Sequence, residues 1–406
     1  MIFSLPFHVA RYFRPTVLSV FELSNSELGD IFALYGITAM LAYFPGGAIA
    51  DYYSVRKLIS ISLFTTSVGG LYLMSIPGIY GLYFLFAYWG ITTIFLFWCA
   101  LIRATREWGG HLAQGRAFGL LDGGRGLVAA AVASLAVLFF SLAMPTETAS
   151  VTELQRQHAL QQVILLYTVL TFTTGILVWF FIPDSHNNTS ATKQHLFAGM
   201  KQVLGQRVVW LQSVIVICAY CGYKGLDNYG LYAFDVLGMD EVESARFTSI
   251  AAYLRPVSAI VAGVIADRFT TNRVIRIAFV LMLLCYTMLA FQSPTPQLIN
   301  IIYANLIITF MAVFGIRGIY FALLEETGMN RNLTGTTVGL VSLAGFTPDI
   351  FFAAIAGRLL DAAPGITGHQ HFFALLSIIS AVGIAATLSV AYYRQSLQGD
   401  TNIKNQ

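Results

Sequence analysis

The sequence predicts an all-α membrane protein of twelve transmembrane helices, built as two pseudo-symmetric six-helix bundles. Two observations predict this fold: an apolar composition and a short motif that recurs at a fixed offset. Of the 406 residues, 57% are hydrophobic and 11% are charged, whereas a soluble domain carries roughly 25% charged residues. Because a water-facing surface needs more polar groups than this composition supplies, the bilayer is the expected solvent.

Apolar runs of about 20 residues, the length that crosses a bilayer, divide the chain into twelve predicted spans. They lie at 1–21, 28–50, 57–76, 79–104, 117–143, 159–182, 208–234, 244–266, 274–292, 297–323, 335–360 and 370–393. The longest polar stretch separates the first six spans from the last six. We therefore predict an N-terminal bundle at 1–183, a cytoplasmic linker at 184–207, and a C-terminal bundle with a short tail at 208–406.

The cations of the short loops predict the orientation, because Lys and Arg favour the cytoplasmic side. One set of loops holds most of them, and the opposite set holds Arg156 and Arg246 beside seven acids. We expect a multi-pass protein of the cell inner (plasma) membrane with both termini in the cytoplasm. An even number of spans agrees with that expectation.

A motif after the second span returns after the eighth span, which indicates a duplicated six-helix unit. Gly47 to Asp51 reads GAIAD, and Gly263 to Asp267, 216 residues later, reads GVIAD. A second echo pairs residues 115–119 with residues 335–339, an offset of 220. In duplicated carriers the substrate site forms between the halves near the bilayer midplane.

The pattern of Gly, Asp and basic residues between spans two and three resembles the signature of the major facilitator superfamily, and the resemblance covers the whole chain. It implies a secondary transporter that works by alternating access, with charged residues of the cytoplasmic loops acting as a gate. Positive-inside anchoring is the alternative role for the basic ones. The predicted gating residues are Asp51, Arg56, Lys57, Arg106, Arg116, Asp267, Arg268, Arg273, Glu325 and Glu326.

Ionisable residues inside the spans indicate a structural or functional role, because placing one at the membrane centre costs about 2.5–3.5 kcal/mol of insertion free energy. Six cations face three carboxylates there: Arg11, Arg14, Arg125, Lys224, Arg255 and Arg317 against Asp122, Asp227 and Asp349. The i,i+3 spacings predict ion pairs between Asp122 and Arg125 and between Lys224 and Asp227. Arg11, Arg255 and Arg317 then lack enough carboxylates nearby in the sequence. An uncompensated buried charge is severely destabilising.

A polar cavity that binds an anion would resolve this excess, so we predict a small anionic substrate. The planar fork of Arg suits carboxylates and phosphates. Arg11 and Lys224 also resemble the cation pair of the organophosphate–phosphate antiporters, while helices five and eleven resemble bacterial sugar-acid and nitrate carriers. The predicted substrate-binding residues are Arg11, Lys224, Arg255, Arg317, Tyr35, Tyr43, Tyr220 and Tyr253.

We expect coupling to protons, with Asp349 as the first candidate for the titrating group because it is central and follows Pro348. Proline frees backbone groups and loosens a helix. Asp227 is the second candidate and Asp122 the third. For His8, one turn before Arg11, a hydrogen-bonded packing role is favoured over proton relay.

Other classes of function find little support in the sequence. Cys218 and Cys221 form a C-x-x-C inside an apolar run with no second pair, so we predict no metal site. Neither a Walker motif nor G-x-S-x-G is present, which argues against an enzyme and an ATP-driven pump. We expect no cofactor, no nucleic-acid partner and a monomer in the lipid bilayer. An anion exchanger and a transporter-like anion sensor remain as alternatives.

Overall fold

The computed structural model describes residues 2–109, 114–145, 151–183, 202–323 and 334–404, and these ranges contain helices and turns but no strand. Each predicted span corresponds to a helical region, numbered α1 to α12, and the predicted all-α fold is confirmed. The uninterrupted helices are α2 (Asn25–Tyr52), α3 (Val55–Leu73), α5 (Gln114–Ala143), α6 (Glu153–Phe181), α9 (Thr271–Phe291), α10 (Ile299–Ile319) and α12 (Ile366–Lys404).

The first helix, α1, is broken rather than continuous over 1–21. Two 3₁₀ turns, Ile2–Ser4 and Pro6–His8, precede the short helices Val9–Tyr12 and Arg14–Val20. Pro6 and Pro15 stand in the first turns of two of these pieces. Because proline lacks a backbone N–H and clashes with the preceding turn, it starts a helix readily but interrupts one that is already formed.

Four other helices change geometry within the span. The helix α4 comprises Ile79–Gly90, the π-helical Ile91–Trp98 and Cys99–Gly109. The remaining three are α7 (Arg207–Gly225, a 3₁₀ turn at Leu226–Asn228, then Tyr229–Asp235), α8 (Glu241–Ala251 and Leu254–Arg268) and α11 (Thr334–Gly345 and Pro348–Ala362). The break in α11 falls at Pro348, where proline was expected to loosen the helix. Such interruptions are tolerated in membranes where protein or water satisfies the freed backbone groups.

By length and hydropathy, nine helices of the described residues could cross a membrane. Three helices, α2, α6 and α8, begin at a capping box. In each, the residue directly before the helix and the residue three positions later accept hydrogen bonds, through their side chains, from each other's backbone N–H groups. The pairs are Ser24 with Glu27, Thr152 with Gln155, and Asp240 with Glu243. These caps satisfy N–H groups that a helix start leaves open.

The chain forms two compact units. Unit 1 comprises Met1–Asn188, Asp227–Tyr253 and Asp349–Gly365, and unit 2 comprises Thr189–Leu226, Leu254–Pro348 and Ile366–Gln406. The core of unit 1 includes Trp89, Tyr167 and the tilted pair Phe13 and Phe140. In unit 2, the buried rings of Tyr286 and Phe373 stack. The division at 183 and 208 stays a prediction.

Candidate functional site

The central charged contact of unit 1 is an ion pair between Arg11 of α1 and Asp227 of α7. The Arg11 Nε donates to Oδ1 at 2.6 Å and its Nη2 donates to Oδ2 at 3.4 Å. Both side chains are largely buried, at 13% and 14% exposure. The two residues are 216 positions apart, the offset of the loop motif, so the pair joins equivalent positions of the two repeats. The sequence predicts Lys224 as a partner of Asp227, and it does not identify Arg11 as one.

Aromatic rings line the neighbouring turn of α1. The ring of Phe7 lies 4.3 Å from His8 and 4.6 Å from Tyr35, measured between ring centroids. His8 Nδ1 lies 3.1 Å from the Ser4 carbonyl oxygen, so that nitrogen is the donor. The Tyr35 hydroxyl lies 3.2 Å from the Thr93 hydroxyl on α4. The contacts of His8 fit the hydrogen-bonded packing role expected from the sequence.

Buried Arg14 belongs to a network that the sequence did not reveal. Its guanidinium donates to Asn25 Oδ1 at 3.0 Å from Nη2. The carboxylate of Asp361 on α11 accepts from the backbone N–H groups of Asn25 and Ser26, at 3.1 and 2.6 Å, and from the Asn25 amide. Asp361 therefore caps the start of α2 with charge-assisted hydrogen bonds.

Glycines bring α2 and α11 into backbone contact along this same seam. A methyl group built on Gly36 would lie 2.4 Å from the Asp349 carbonyl oxygen, and one on Gly357 would lie 2.2 Å from the Asn25 carbonyl oxygen. Arg358 and Asp30 pair at 2.8 Å beside the seam. The sequence signal was available: Gly357, Arg358 and Asp361 share one turn at the end of the eleventh apolar run.

Asp349 begins the second piece of α11, directly after Pro348, and its side chain is half-buried. Tyr35 and Tyr43 lie within electrostatic range of this carboxylate, and Tyr43 also lies within range of Arg125. The guanidinium carbon of Arg125 is 4.9 Å from the ring centroid of Trp98. The structure thus groups three predicted site residues with Arg125 in unit 1.

One interior cation of unit 2, Arg317, lies against aromatic rings. The guanidinium carbon of Arg317 lies 3.7 Å from the ring centroid of Tyr223 and 5.6 Å from that of Tyr220. Lys224 and Arg255 are each 7% exposed. The described residues of unit 2 include two carboxylates, Asp267 and Asp400. Of the nine charged residues that the sequence places inside the spans, unit 2 therefore contains three cations, and the three carboxylates belong to unit 1.

The predicted gating residues are only partly described. The guanidinium of Arg56 lies over the Trp179 ring at 5.4 Å, and four others, Lys57, Asp267, Arg268 and Arg273, are exposed. A contact that we did not predict joins Arg103 to Glu107 at 2.7 Å. The side chains of Asp51, Arg106, Arg116 and Asp122, and all of Glu325 and Glu326, lie outside the described residues.

Tyr253 has a different setting from the other predicted tyrosines. It belongs to unit 1, is exposed, and its hydroxyl accepts a hydrogen bond from Ser134 Oγ at 3.2 Å. A cavity of about 670 Å³ lies elsewhere in unit 1, where α4 and α6 end, and is mostly apolar. None of the predicted site residues lines this cavity.

Comparison with known proteins identifies relatives over most of the chain. The Major Facilitator Superfamily sequence profile matches residues 2–325. Inner membrane protein YqcE of Escherichia coli is 28% identical, over 93% of this chain and 88% of that protein. Inner membrane protein YihN of the same bacterium is 25% identical, over 95% and 91%. A probable nitrate/nitrite antiporter, NarK1 of Thermus thermophilus, is 27% identical over 65% of this chain and 58% of the antiporter.

Solved structures share the fold. A D-xylose-proton symporter superposes with a TM-score of 0.74 at 14% identity, covering 96% of this chain and 94% of the symporter. A bacterial homologue of the human lysosomal transporter Spinster, in an inward-facing conformation, gives 0.73 at 12% identity, covering 96% and 95%. At such identities the likeness establishes the fold alone.

Proposed function

The chain belongs to the Major Facilitator Superfamily, and we propose that it is a secondary active transporter that moves a small organic anion across the inner membrane together with protons. Both termini face the cytoplasm in this proposal. Transport itself follows from the family, whose members carry small molecules. The Arg11–Asp227 ion pair carries the finer proposal, because one contact unites an anion-binding group with a group that can take up a proton.

The carboxylate of Asp227 accepts hydrogen bonds from the Arg11 guanidinium, as a substrate carboxylate or phosphate would. Protonation removes the charge of Asp227 and weakens its hold on the guanidinium. The fork of Arg11 is then available to a substrate anion. Conversely, an anion bound to Arg11 leaves Asp227 in a buried site without its counter-charge, which favours the protonated form. Proton and anion therefore favour each other's binding, as linkage requires.

The charged surroundings of the pair support this coupling. Arg14 lies within electrostatic range of Asp227, Asp235 and Asp361. His8 precedes Arg11 by one turn, and Lys224 precedes Asp227 by one turn on α7. Asp349 lies near Tyr35 and Tyr43 and is the second carboxylate of the proposal. Considered by itself, unit 2 also contains cations, Lys224, Arg255 and Arg317, of the charge that an anionic substrate requires.

Uptake into proteoliposomes tests the proposal, with D-gluconate, glycerol 3-phosphate and nitrate as probe anions. We expect accumulation of D-gluconate or glycerol 3-phosphate when the lumen is alkaline, and little accumulation without a pH gradient. The Asp227→Asn variant should lose the dependence on the gradient, because an amide stays neutral. Asp30→Asn, which alters an exposed ion pair, is the matched control and should retain that dependence.

A second candidate is anion exchange, which the likeness to a probable nitrate/nitrite antiporter favours. Uptake that ignores the pH gradient but needs a trapped anion would establish exchange and overturn proton coupling. Binding of a probe with no detectable flux would support the anion-sensor alternative.

A further inference from the structure

The middle of α4 is wound as a π-helix from Ile91 to Trp98, eight residues long. A π-helix is rare, is generally confined to a single turn, and occurs frequently at functional sites. The segment is fastened from α3 by buried hydroxyls. Ser62 Oγ donates to the Thr92 carbonyl oxygen at 2.7 Å, and Thr66 Oγ1 donates to the Thr92 hydroxyl at 3.1 Å.

The wider turn changes which side chains α4 presents to its neighbours. Thr93 faces α2, where its hydroxyl meets Tyr35. Trp98, the last residue of the π-helix, lies against α5, where its ring contacts the guanidinium of Arg125. Since each π turn adds about one residue to an α turn, an ordinary α-helix through this segment would direct Trp98 elsewhere. The π-helix thus positions Trp98 beside Arg125.

The guanidinium of Arg125 is suited to bind an anion in this position. Stacking on Trp98 uses the face of the group, and the N–H donors point outward around its rim. Its side chain is half-buried. A charged side chain within a membrane protein faces water or protein rather than acyl chains. Tyr43 and Trp98 pack against the same small buried cluster of Ala39, Ala42 and Ile94, and Tyr43 lies within electrostatic range of Arg125.

We propose that the π-helical segment of α4 builds an anion subsite in which Arg125 binds the carboxylate, phosphate or sulfonate group of the transported molecule. Trp98 is the positioning residue, and Tyr43 is a neighbouring hydroxyl contact. The subsite lies within unit 1 and rests on the proposed function, which it deepens by adding a binding residue. The sequence had assigned Arg125 only an ion pair with Asp122.

Cys99 provides a probe that does not depend on knowing the substrate. It follows Trp98 and is half-buried, whereas Cys218, Cys221 and Cys285 are buried and can be replaced by Ala. The full-length protein in detergent is treated with an anionic methanethiosulfonate, the sulfonatoethyl reagent, and with its cationic trimethylammonium analogue. Because a positive potential attracts the anionic reagent, we expect Cys99 to prefer it by about tenfold.

Three variants test whether Arg125 causes that preference. Arg125→Gln should remove it, Trp98→Ala should reduce it, and Trp98→Phe should retain much of it because a ring remains. Arg358→Gln removes an exposed cation elsewhere in unit 1 and should leave the ratio unchanged. A ratio that persists in Arg125→Gln would overturn the subsite, as would a Cys99 that reacts with neither reagent in the folded protein.

Uptake measurements can refute the subsite and the proposed function independently of each other. With D-gluconate as probe, Arg125→Gln should raise the KM for proton-driven uptake about tenfold or more, the effect expected from losing one bidentate contact, while Arg125→Lys should recover part of the loss. Normal KM in Arg125→Gln, together with normal wild-type uptake, refutes the subsite and leaves the proton-coupled carrier standing. Uptake by the wild type that ignores the pH gradient refutes the carrier instead.

Discussion

Interior cations of the two units show two kinds of contact, and Arg11 of unit 1 and Arg317 of unit 2 are the clearest contrast. In unit 1, Arg11 meets Asp227, Arg156 meets Glu241 at 2.8 Å, and Arg14 meets the amide of Asn25. In unit 2, Arg317 lies on the rings of Tyr223 and Tyr220. A carboxylate neutralises a guanidinium, whereas a ring attracts the cation and leaves its charge in place. The carboxylate of Asp227 therefore neutralises Arg11, whereas the two tyrosine rings leave the charge of Arg317 in place.

The largest expected effect comes from breaking the central pair of unit 1. Arg11→Gln leaves Asp227 as a buried carboxylate without its partner, a change that costs roughly 3–5 kcal/mol of stability in buried pairs. We expect a clear fall in Tm in detergent and loss of D-gluconate uptake. The double variant Arg11→Gln/Asp227→Asn should recover Tm without recovering uptake. If the double variant has the same low Tm as the single one, the loss of stability does not come from the carboxylate of Asp227, and this expectation is wrong.

Removing a cation from unit 2 should affect ligand binding far more than folding. Lys224→Ala and Arg255→Ala should each abolish anion binding while the protein stays folded, because we propose that both cations contact the anion. Titration calorimetry with glycerol 3-phosphate measures the loss of binding, and a melting curve of each variant shows whether it stays folded. Normal binding in both variants would mean that the two cations are structural and would remove the support of unit 2 for an anionic substrate.

The glycine seam of unit 1 should be sensitive to a single methyl group. Gly36→Ala forces a Cβ to within 2.4 Å of the Asp349 carbonyl oxygen, so α2 and α11 must move apart. We expect destabilisation of about 1–3 kcal/mol, the usual cost of overpacking, measured as a lower Tm. Gly123→Ala on α5 is the matched control, because nothing lies within 4 Å of the added group. Equal melting of the two variants would refute the close packing of the seam.

The smallest effect is expected from the rings that hold Arg317. Tyr223→Leu removes a cation–π contact worth about 0.5–2 kcal/mol, so anion affinity should fall by up to about thirtyfold on the same scale. Tyr223→Phe keeps the ring and should bind nearly as the wild type does. Affinities from the calorimetric titration compare the two. Equal losses in Leu and Phe would assign the effect to the hydroxyl group and not to the ring.

Much of the scaffold was predictable from local patterns, because the bilayer requires long apolar runs and closed backbone hydrogen bonding. The twelve spans and the repeat at Gly47 and Gly263 were read in this way. The breaks in α1 and α11 fall at prolines, so residue chemistry indicates them as well. No residue type between Ile91 and Trp98 indicates the π-helix of α4 in the same way. One of the hydrogen bonds that holds it comes from another helix, where Ser62 donates to the Thr92 carbonyl oxygen.

The charged residues show the same limit at the site. Counting along the chain identified Arg11, Asp227 and Arg317 as interior charges, but it did not identify Arg11 as a partner of Asp227, because it compared only neighbours in sequence. It missed Asp361, which caps α2 from more than 300 residues away, and it did not identify the ring of Trp98 beside Arg125. The predicted ion pair between Arg125 and Asp122 stays a prediction.

The sequence by itself determined the membrane solvent, the number of helices, the duplication and the presence of excess positive charge. These properties depend on composition and on spacing along the chain. Tertiary structure alone decided which charge meets a carboxylate, which meets a ring and which helices touch at a glycine. The reason is physical: electrostatic and van der Waals energies depend on distance in space, and residues 216 positions apart can lie 2.6 Å from each other.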